Sequence, residues 1–328
     1  MASIFHAFKR LAHFCVMAAM LGAPAYSHGA DSPKKILSQD IAPSFRLTED
    51  QVTLPLVMVR GFPFIEVEIA GVKGKLMLDT GAQDALSLND HKLPLTGGIA
   101  LGGGAVGSGQ TFTEMLRDQI GDVKLAGYKT YTGITSVRSS NADFLEKVTP
   151  DFLGWIGYNF WAGYAMKIDY DAKTAIFYKH DASGAAQARY LSGETLIAKI
   201  PFETRKLPNH PIIHVKIGTF DLLGAFDTGT NGDLYIEDKT RQAMVANNNL
   251  VAVGMEDGDE FFDVQGVDVF KDRQYTIRRI EVLPSPFPAA RPLGLDAPDV
   301  ITFGYAFLKD FKTVWDFQRK QICVLAPR

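Results

Sequence analysis

Cysteine is nearly absent from the sequence; the two copies are Cys15 and Cys323. Cys15 falls in an N-terminal stretch that reads as a secretory signal, so the processed chain keeps Cys323 alone and forms no internal disulfide. Stability must then come from packed cores, without the cross-links that hold many small secreted domains together. Cys323 sits in Ile322-Cys323-Val324-Leu325, an apolar strand pattern in which a thiol behaves as a small hydrophobe. An excess of one charge is missing too. Lys and Arg number 34 against 37 Asp and Glu, for a net charge of −3, and the signs are mixed along the chain, so nothing points to a nucleic-acid partner. Beyond residue 22 no apolar run is long enough to cross a membrane. The chain has no H-E-x-x-H and no G-x-S-x-G. His210 and His214 stand four apart, but Pro211 between them spoils a helical metal-binding face, so no metal is expected. Gly104 to Thr111 spells G-x-x-x-x-G-Q-T, yet Gln110 stands where a phosphate loop requires lysine. No cofactor is expected.

What is present begins with an export signal. Lys9 and Arg10 precede a largely apolar stretch over residues 11–22, and Ala23-Pro24-Ala25 or Ala25-Tyr26-Ser27 offers small residues for cleavage. Residues 1–27 are therefore expected to be a signal peptide, placing the protein in the periplasm or outside the cell with no membrane span after cleavage. Residues 28–50 are mixed and polar, a lead-in or a propeptide. The remainder divides into residues 51–180, a linker over 181–195, and residues 196–328. Strand-like runs separated by Gly, Pro and Asn dominate, which predicts an all-β fold. Val52–Met58 reads as one strand, and Glu237–Asn247 is the best helix candidate.

The two long segments are related. Asp79-Thr80-Gly81 and Asp227-Thr228-Gly229 lie 148 positions apart (227 − 79). At that offset Phe64–Ile69 falls on Ile212–Ile217, and both read as half-buried strands. Leu76-Met77-Leu78 falls on Gly224-Ala225-Phe226, directly before each aspartate. Leu86-Ser87-Leu88 falls on Leu234-Tyr235-Ile236. At an offset of 147 (304 − 157), Gly157-Tyr158-Asn159-Phe160 resembles Gly304-Tyr305-Ala306-Phe307, and Lys167-Ile168-Asp169-Tyr170 resembles Val314-Trp315-Asp316-Phe317. One ancestral unit is present twice.

With these motifs the chain resembles retropepsin-like and pepsin-like aspartic proteases. Each half has an Asp-Thr-Gly after an apolar strand. Each ends near a hydrophobic-hydrophobic-Gly element, Trp155-Ile156-Gly157 and, less closely, Thr302-Phe303-Gly304. The resemblance covers roughly residues 52–328. It implies a bilobal fold of two related β-barrel-like lobes with the active site in the cleft between them, and a polypeptide bound there in extended form. The wording GKLMLDTGA around Asp79 is nearer to retropepsin-like units, while two lobes in one chain is the pepsin arrangement, so a monomer suffices and a dimer is not required.

The chemistry of that pair is amide hydrolysis. A base must take a proton from water while an acid protonates the carbonyl oxygen. Two close carboxyls share one proton because both cannot ionise cheaply, and the titration belongs to the pair. Asp79 and Asp227 are the expected catalytic residues. Gly81 and Gly229 permit the tight turns, and the resemblance implies that Thr80 and Thr228 hydrogen-bond across the twofold. Thr230 follows the second triplet where Ala82 follows the first; a hydroxyl there can donate to its carboxylate and favour the ionised form. Ala82 cannot, which predicts a less acidic working range than hydroxyls on both sides would give. The run Gly102–Gly109, with Gly103, Gly104, Ala105, Val106 and Gly107 at its centre, is the candidate flap over the substrate. Glu256–Glu260 in the second half is acidic and reads as a solvated loop. An endopeptidase is the leading expectation; the alternative is a catalytically silent peptide-binding or inhibitor protein on the same fold.

Overall fold

The computed structural model describes residues 45–105, 110–256, 258–270 and 273–327. The expected signal peptide, most of the lead-in, and Val106 and Gly107 of the candidate flap lie outside the described residues. The described chain is mostly β, with no helix long and apolar enough to cross a membrane.

The first half supplies β1 (Gln51–Pro55), β2 (Val57–Val59), β3 (Phe62–Ile69), β4 (Val72–Leu78), β5 (Leu86–Asn89), β6 (Ile99–Ala105), β7 (Thr111–Leu125), β8 (Thr130–Ser140), β9 (Phe152–Ile156), β10 (Tyr164–Asp169) and β11 (Thr174–Lys179). Six of these strands close on themselves in the order β3-β4-β9-β5-β8-β7, because β7 pairs back onto β3. Two of the contacts, β4 with β9 and β5 with β8, are parallel; the rest are antiparallel.

The second half supplies β12 (Leu196–Pro201), β13 (Ile212–Ile217), β14 (Phe220–Phe226), β15 (Asp233–Ile236), β16 (Leu250–Glu256), β17 (Asp259–Phe270), β18 (Arg273–Pro284), β19 (Val300–Phe303), β20 (Lys312–Asp316) and β21 (Gln321–Leu325). Its closed ring is β13-β14-β19-β15-β18-β17. Again β14–β19 and β15–β18 are the parallel contacts. The repeat in the sequence is thus a repeat in topology, pairing by pairing. Alternation explains why these segments form barrel walls. In β13 Ile213, Val215 and Ile217 point inward, His214 and Lys216 point to solvent, and Ile212 on that outer face is buried in a separate apolar cluster.

The remaining strands form a third sheet, β1-β11-β10-β20-β21-β12, in which each half contributes three. At its centre β10 and β20 run antiparallel, Met166 opposite Trp315 and Ile168 opposite Thr313. Trp315, Ile322 and Phe177 are fully buried there, in one apolar cluster with residues of both barrels. Cys323 is buried on the sheet's other side, and burial pushes its thiol up to about 11.

Two local expectations need correction. Val52–Met58 is not one strand: Leu56 interrupts it, β1 joins the third sheet and β2 pairs with β3. The linker contains a helix, Ala185–Leu191, anchored by the buried Tyr190, whose hydroxyl donates to Asp316 at 2.8 Å. Glu256, Gly258 and Glu260 are exposed where β16 meets β17, as expected of a solvated loop, and that hairpin holds the same place on its barrel as β6–β7 does in the first half. The helix expected near Glu237–Asn247 forms over Asp238–Ala246.

Candidate active site

Each Asp-Thr-Gly begins where a central parallel strand ends. The Asp79 N–H donates to Ile156 O at 3.0 Å, and the Asp227 N–H donates to Phe303 O at 3.1 Å, so each aspartate is tied to the strand beside it. The hydrophobic-hydrophobic-Gly elements clamp the turns from behind. Tyr158 N–H donates to Ala82 O (2.8 Å) and Asn159 N–H to Gln83 O (3.0 Å); Tyr305 N–H donates to Thr230 O (2.9 Å) and Ala306 N–H to Asn231 O (2.8 Å). Gly157 and Gly304 are required by this approach. A Cβ on Gly157 would run into the carbonyl oxygens of Asp84 and Ala82, and one on Gly304 into that of Thr230.

The two turns interlock. Thr80 N–H donates to the Thr228 hydroxyl at 3.0 Å, and Thr228 N–H donates to the Thr80 hydroxyl at 2.9 Å. The Thr228 hydroxyl in turn donates to Leu78 O at 2.8 Å. Asp79, Thr80, Asp227 and Thr228 are all shut off from solvent. The carboxyls meet at the centre of this knot. Asp79 Oδ1 accepts the N–H groups of Gly81 (2.7 Å) and Ala82 (3.2 Å). Asp227 Oδ1 accepts those of Gly229 (2.8 Å) and Gly81 (3.1 Å), and the Thr80 hydroxyl at 3.4 Å. Gly81 therefore serves both carboxyls, and a Cβ there would collide with the Asp227 carboxylate. The hydroxyl seen donating to Asp227 is that of Thr80, while the Thr230 hydroxyl accepts the Gly232 N–H at 3.0 Å.

Burial pushes both carboxyls up. Asp79 is held well above the ordinary range by burial, by the neighbouring Asp227 charge and by their mutual hydrogen bond. Asp227 is raised by burial to about 6, against the pull of Gly229 N–H, Asp79, Gly81 N–H and the Thr80 hydroxyl. The pair holds a proton into the neutral range.

Two further groups at the site carry no motif. Asn209, fully buried and contributed by the second half, donates both amide protons across to the first turn: to Thr80 O and Gly81 O, each at 2.9 Å. His210 is buried beside it. Burial lowers its imidazole to about 4, so it is neutral; Gly81 backbone pulls the other way from outside hydrogen-bond geometry. On the other flank Arg138 joins Asp84 (3.0 Å) and Glu114 of β7 (2.5 Å) in a buried cluster. Burial raises Asp84 to about 7, Arg138 opposes and Glu114 adds to the rise.

The candidate flap is the β6–β7 hairpin. Gly103 and Gly104 are strand residues, opposite Thr113 and Phe112. The Phe112 ring covers Gly104, where a Cβ would overlap it, and Phe112 packs in one apolar cluster with Ala82, next to the first triplet. Close cross-strand packing therefore accounts for Gly104. Among the described residues no group of His, Cys, Asp and Glu is arranged to hold a metal ion. No protein-family model and no curated protein matches the chain.

Proposed function

We propose that the chain is an aspartic endopeptidase: a bilobal aspartic protease fold in one polypeptide that hydrolyses peptide bonds with water activated between Asp79 and Asp227. One observation carries this reading. Two Asp-Thr-Gly turns from topologically identical barrels are locked face to face by reciprocal threonine hydrogen bonds. Asp79 Oδ2 and Asp227 Oδ2 take no hydrogen bond from any amide, hydroxyl or amine among the described residues. Inner oxygens saturated by the turns, with the buried outer oxygens left to each other, is an arrangement in which a reactant can be gripped by the pair.

In the reaction, the ionised carboxyl takes a proton from water as the oxygen attacks the peptide carbonyl carbon. The protonated carboxyl gives its proton to the carbonyl oxygen, producing a neutral tetrahedral diol. Proton transfer to the amide nitrogen then releases the amine, without a covalent enzyme intermediate. The raised carboxyl values support this division, since one proton stays on the pair at working pH. The protein would be exported and would bind its polypeptide as an extended strand.

The test is cleavage of a mixed-peptide library between about pH 3 and about pH 7, spanning the carboxylate range. Asp79→Asn and Asp227→Asn, assayed beside the parent, are each expected to abolish cleavage. A variant that retains parental activity would remove that aspartate from the chemistry.

A further inference from the structure

Beside the second triplet a cavity of about 190 Å³ opens, and its wall is cationic. Asn231 and Gly232, just past Asp227 in the chain, form part of it. Arg278, Arg279 and Lys309 come from the second half, and Arg60 reaches in from the β2–β3 turn of the first. We propose that this cavity is a subsite for a carboxylate side chain, Asp or Glu, of the bound polypeptide. The inference rests on the endopeptidase reading and gives it a substrate preference.

The turn that delivers Arg60 is fixed in place. Gly61 has φ +90, and a Cβ there would overlap the Tyr305 ring and the Asn231 side chain. No other residue could bring the two halves this close. Arg60 itself has φ +50, a conformation that costs a non-glycine residue about 1 kcal/mol and persists only where its surroundings impose it. Arg60 and Gly61, at φ +50 and +90, are the two left-handed residues of the tight β2–β3 turn, and that turn carries Arg60 to the cavity wall beside Asn231.

Charge accounting distinguishes the four cations. Arg279 is answered by Glu256 and lies over the Phe261 ring at 4.7 Å. Arg278 is mostly exposed and meets Asp263 only at 3.7 Å. Arg60 and Lys309 have no ion pair among the described residues; Lys309 stands 5.7 Å from the Tyr305 ring centre. The wall also contains Asp233, which is buried, and Glu281, and each of these has interactions of its own. Cations thus outnumber carboxylates four to two, and the unanswered charge is on Arg60 and Lys309. The first half has no counterpart. At the equivalent distance past Asp79 it places the Asp84–Arg138–Glu114 cluster, two carboxylates on one guanidinium. Burial raises Asp84 to about 7, so below neutral pH it adds no full negative charge there; the uncompensated charge beside the dyad is the cationic excess of the second half, and a peptide carrying an acidic side chain is steered toward it.

The experiment uses peptides blocked at both ends, acetylated and amidated, so that a chain terminus cannot supply the carboxylate. Asp or Glu is exchanged for Asn or Gln at each position in turn. The full chain is assayed for kcat/KM, and Asp79→Asn for binding by fluorescence anisotropy. At one position, on one side of the cut bond, the acid is expected to be favoured about fivefold to tenfold, shrinking as salt rises. Arg60→Gln combined with Lys309→Gln should reduce that ratio to about one, and Arg60→Lys should largely keep it. Cleavage with no acid preference at any position overturns the subsite and leaves the dyad reading standing. If the chain cuts nothing, the endopeptidase reading fails and the binding arm decides. Tighter binding of the acidic peptide, lost in the double variant, supports the subsite; equal binding or none overturns it.

Discussion

Asp79 and Asp227 are acids kept where their charge is costly, and this has a consequence for stability. A carboxyl whose folded value is raised favours the fold fully below its unfolded value, and that contribution is lost as pH rises through the folded value. The pair is raised as a unit, Asp227 to about 6 and Asp79 well above the ordinary range, so the native state weakens as pH climbs through the neutral range. His210 runs the opposite way. Its value is lowered to about 4, so its contribution is present above its ordinary value and is lost as pH falls toward 4. Comparing two proteins that share His210 cancels that effect. The double variant Asp79→Asn/Asp227→Asn should gain on the parent by about 2 kcal/mol between about pH 5 and about pH 8, read from urea midpoints. A constant difference across that range would mean that the pair does not retain a proton in the native state. The Ala82–Thr230 contrast read from the sequence does not account for the raised pair, because the hydroxyl seen donating to Asp227 is that of Thr80 and burial is the leading cause of the rise.

Among the elements, those that define the site were readable and those that buttress it were less so. The strands before each aspartate and the Gly157 and Gly304 elements follow from apolar runs repeated at a near-constant offset. The second hairpin was not readable as a hairpin of the same kind, because its turn is acidic where the first is glycine-rich. Its place comes from β17 pairing with β13, a long-range register that composition does not encode. Asn209 was invisible for a similar reason: it belongs to no motif, and its two bonds reach 129 and 128 residues back along the chain. The linker helix is short, with Gly184 in a left-handed conformation at its start, and its first amides are capped from three residues earlier, the Ala185 and Ala186 N–H groups donating to Asp181 at 3.1 and 2.9 Å, so the usual N-cap signal is displaced. The glycine clamps make the strongest prediction at this scale. Gly157→Ala sets a methyl against two backbone carbonyls that cannot rotate away, so it should cost roughly 2–4 kcal/mol of stability. Because one of those carbonyls belongs to Ala82, kcat should fall as well. Denaturation midpoint and turnover are measured together; a Gly157→Ala protein matching the parent in both would show that the element does not hold the turn.

At the scale of the whole molecule, neither barrel contains a site. Asp79 needs Asp227 beside it, Thr80 needs Thr228, and Asn209 must reach across from the second half. The third sheet enforces that meeting. Its centre, β10 against β20, is a seam between halves, and Glu194 binds both Lys167 of β10 and Lys312 of β20 beneath it. All three side chains are largely buried, so removing one half strips partners from charges that water does not reach. The chain can be cut after His180 to test this. Fragments 28–180 and 181–328, each purified alone, should be inactive as monomers. Mixed, they should regain peptide cleavage in the size-exclusion fraction where both are present, because the antiparallel β10–β20 register and the threonine knot need no covalent link. A first-half fragment alone also has β10 as an open edge, and the near-twofold relation of β10 to β20 lets it pair with a second copy of itself, bringing two Asp79 side chains together. Any cleavage by that fragment must therefore elute as a dimer. Activity in a fraction holding one half as a monomer would overturn the requirement for a shared pair.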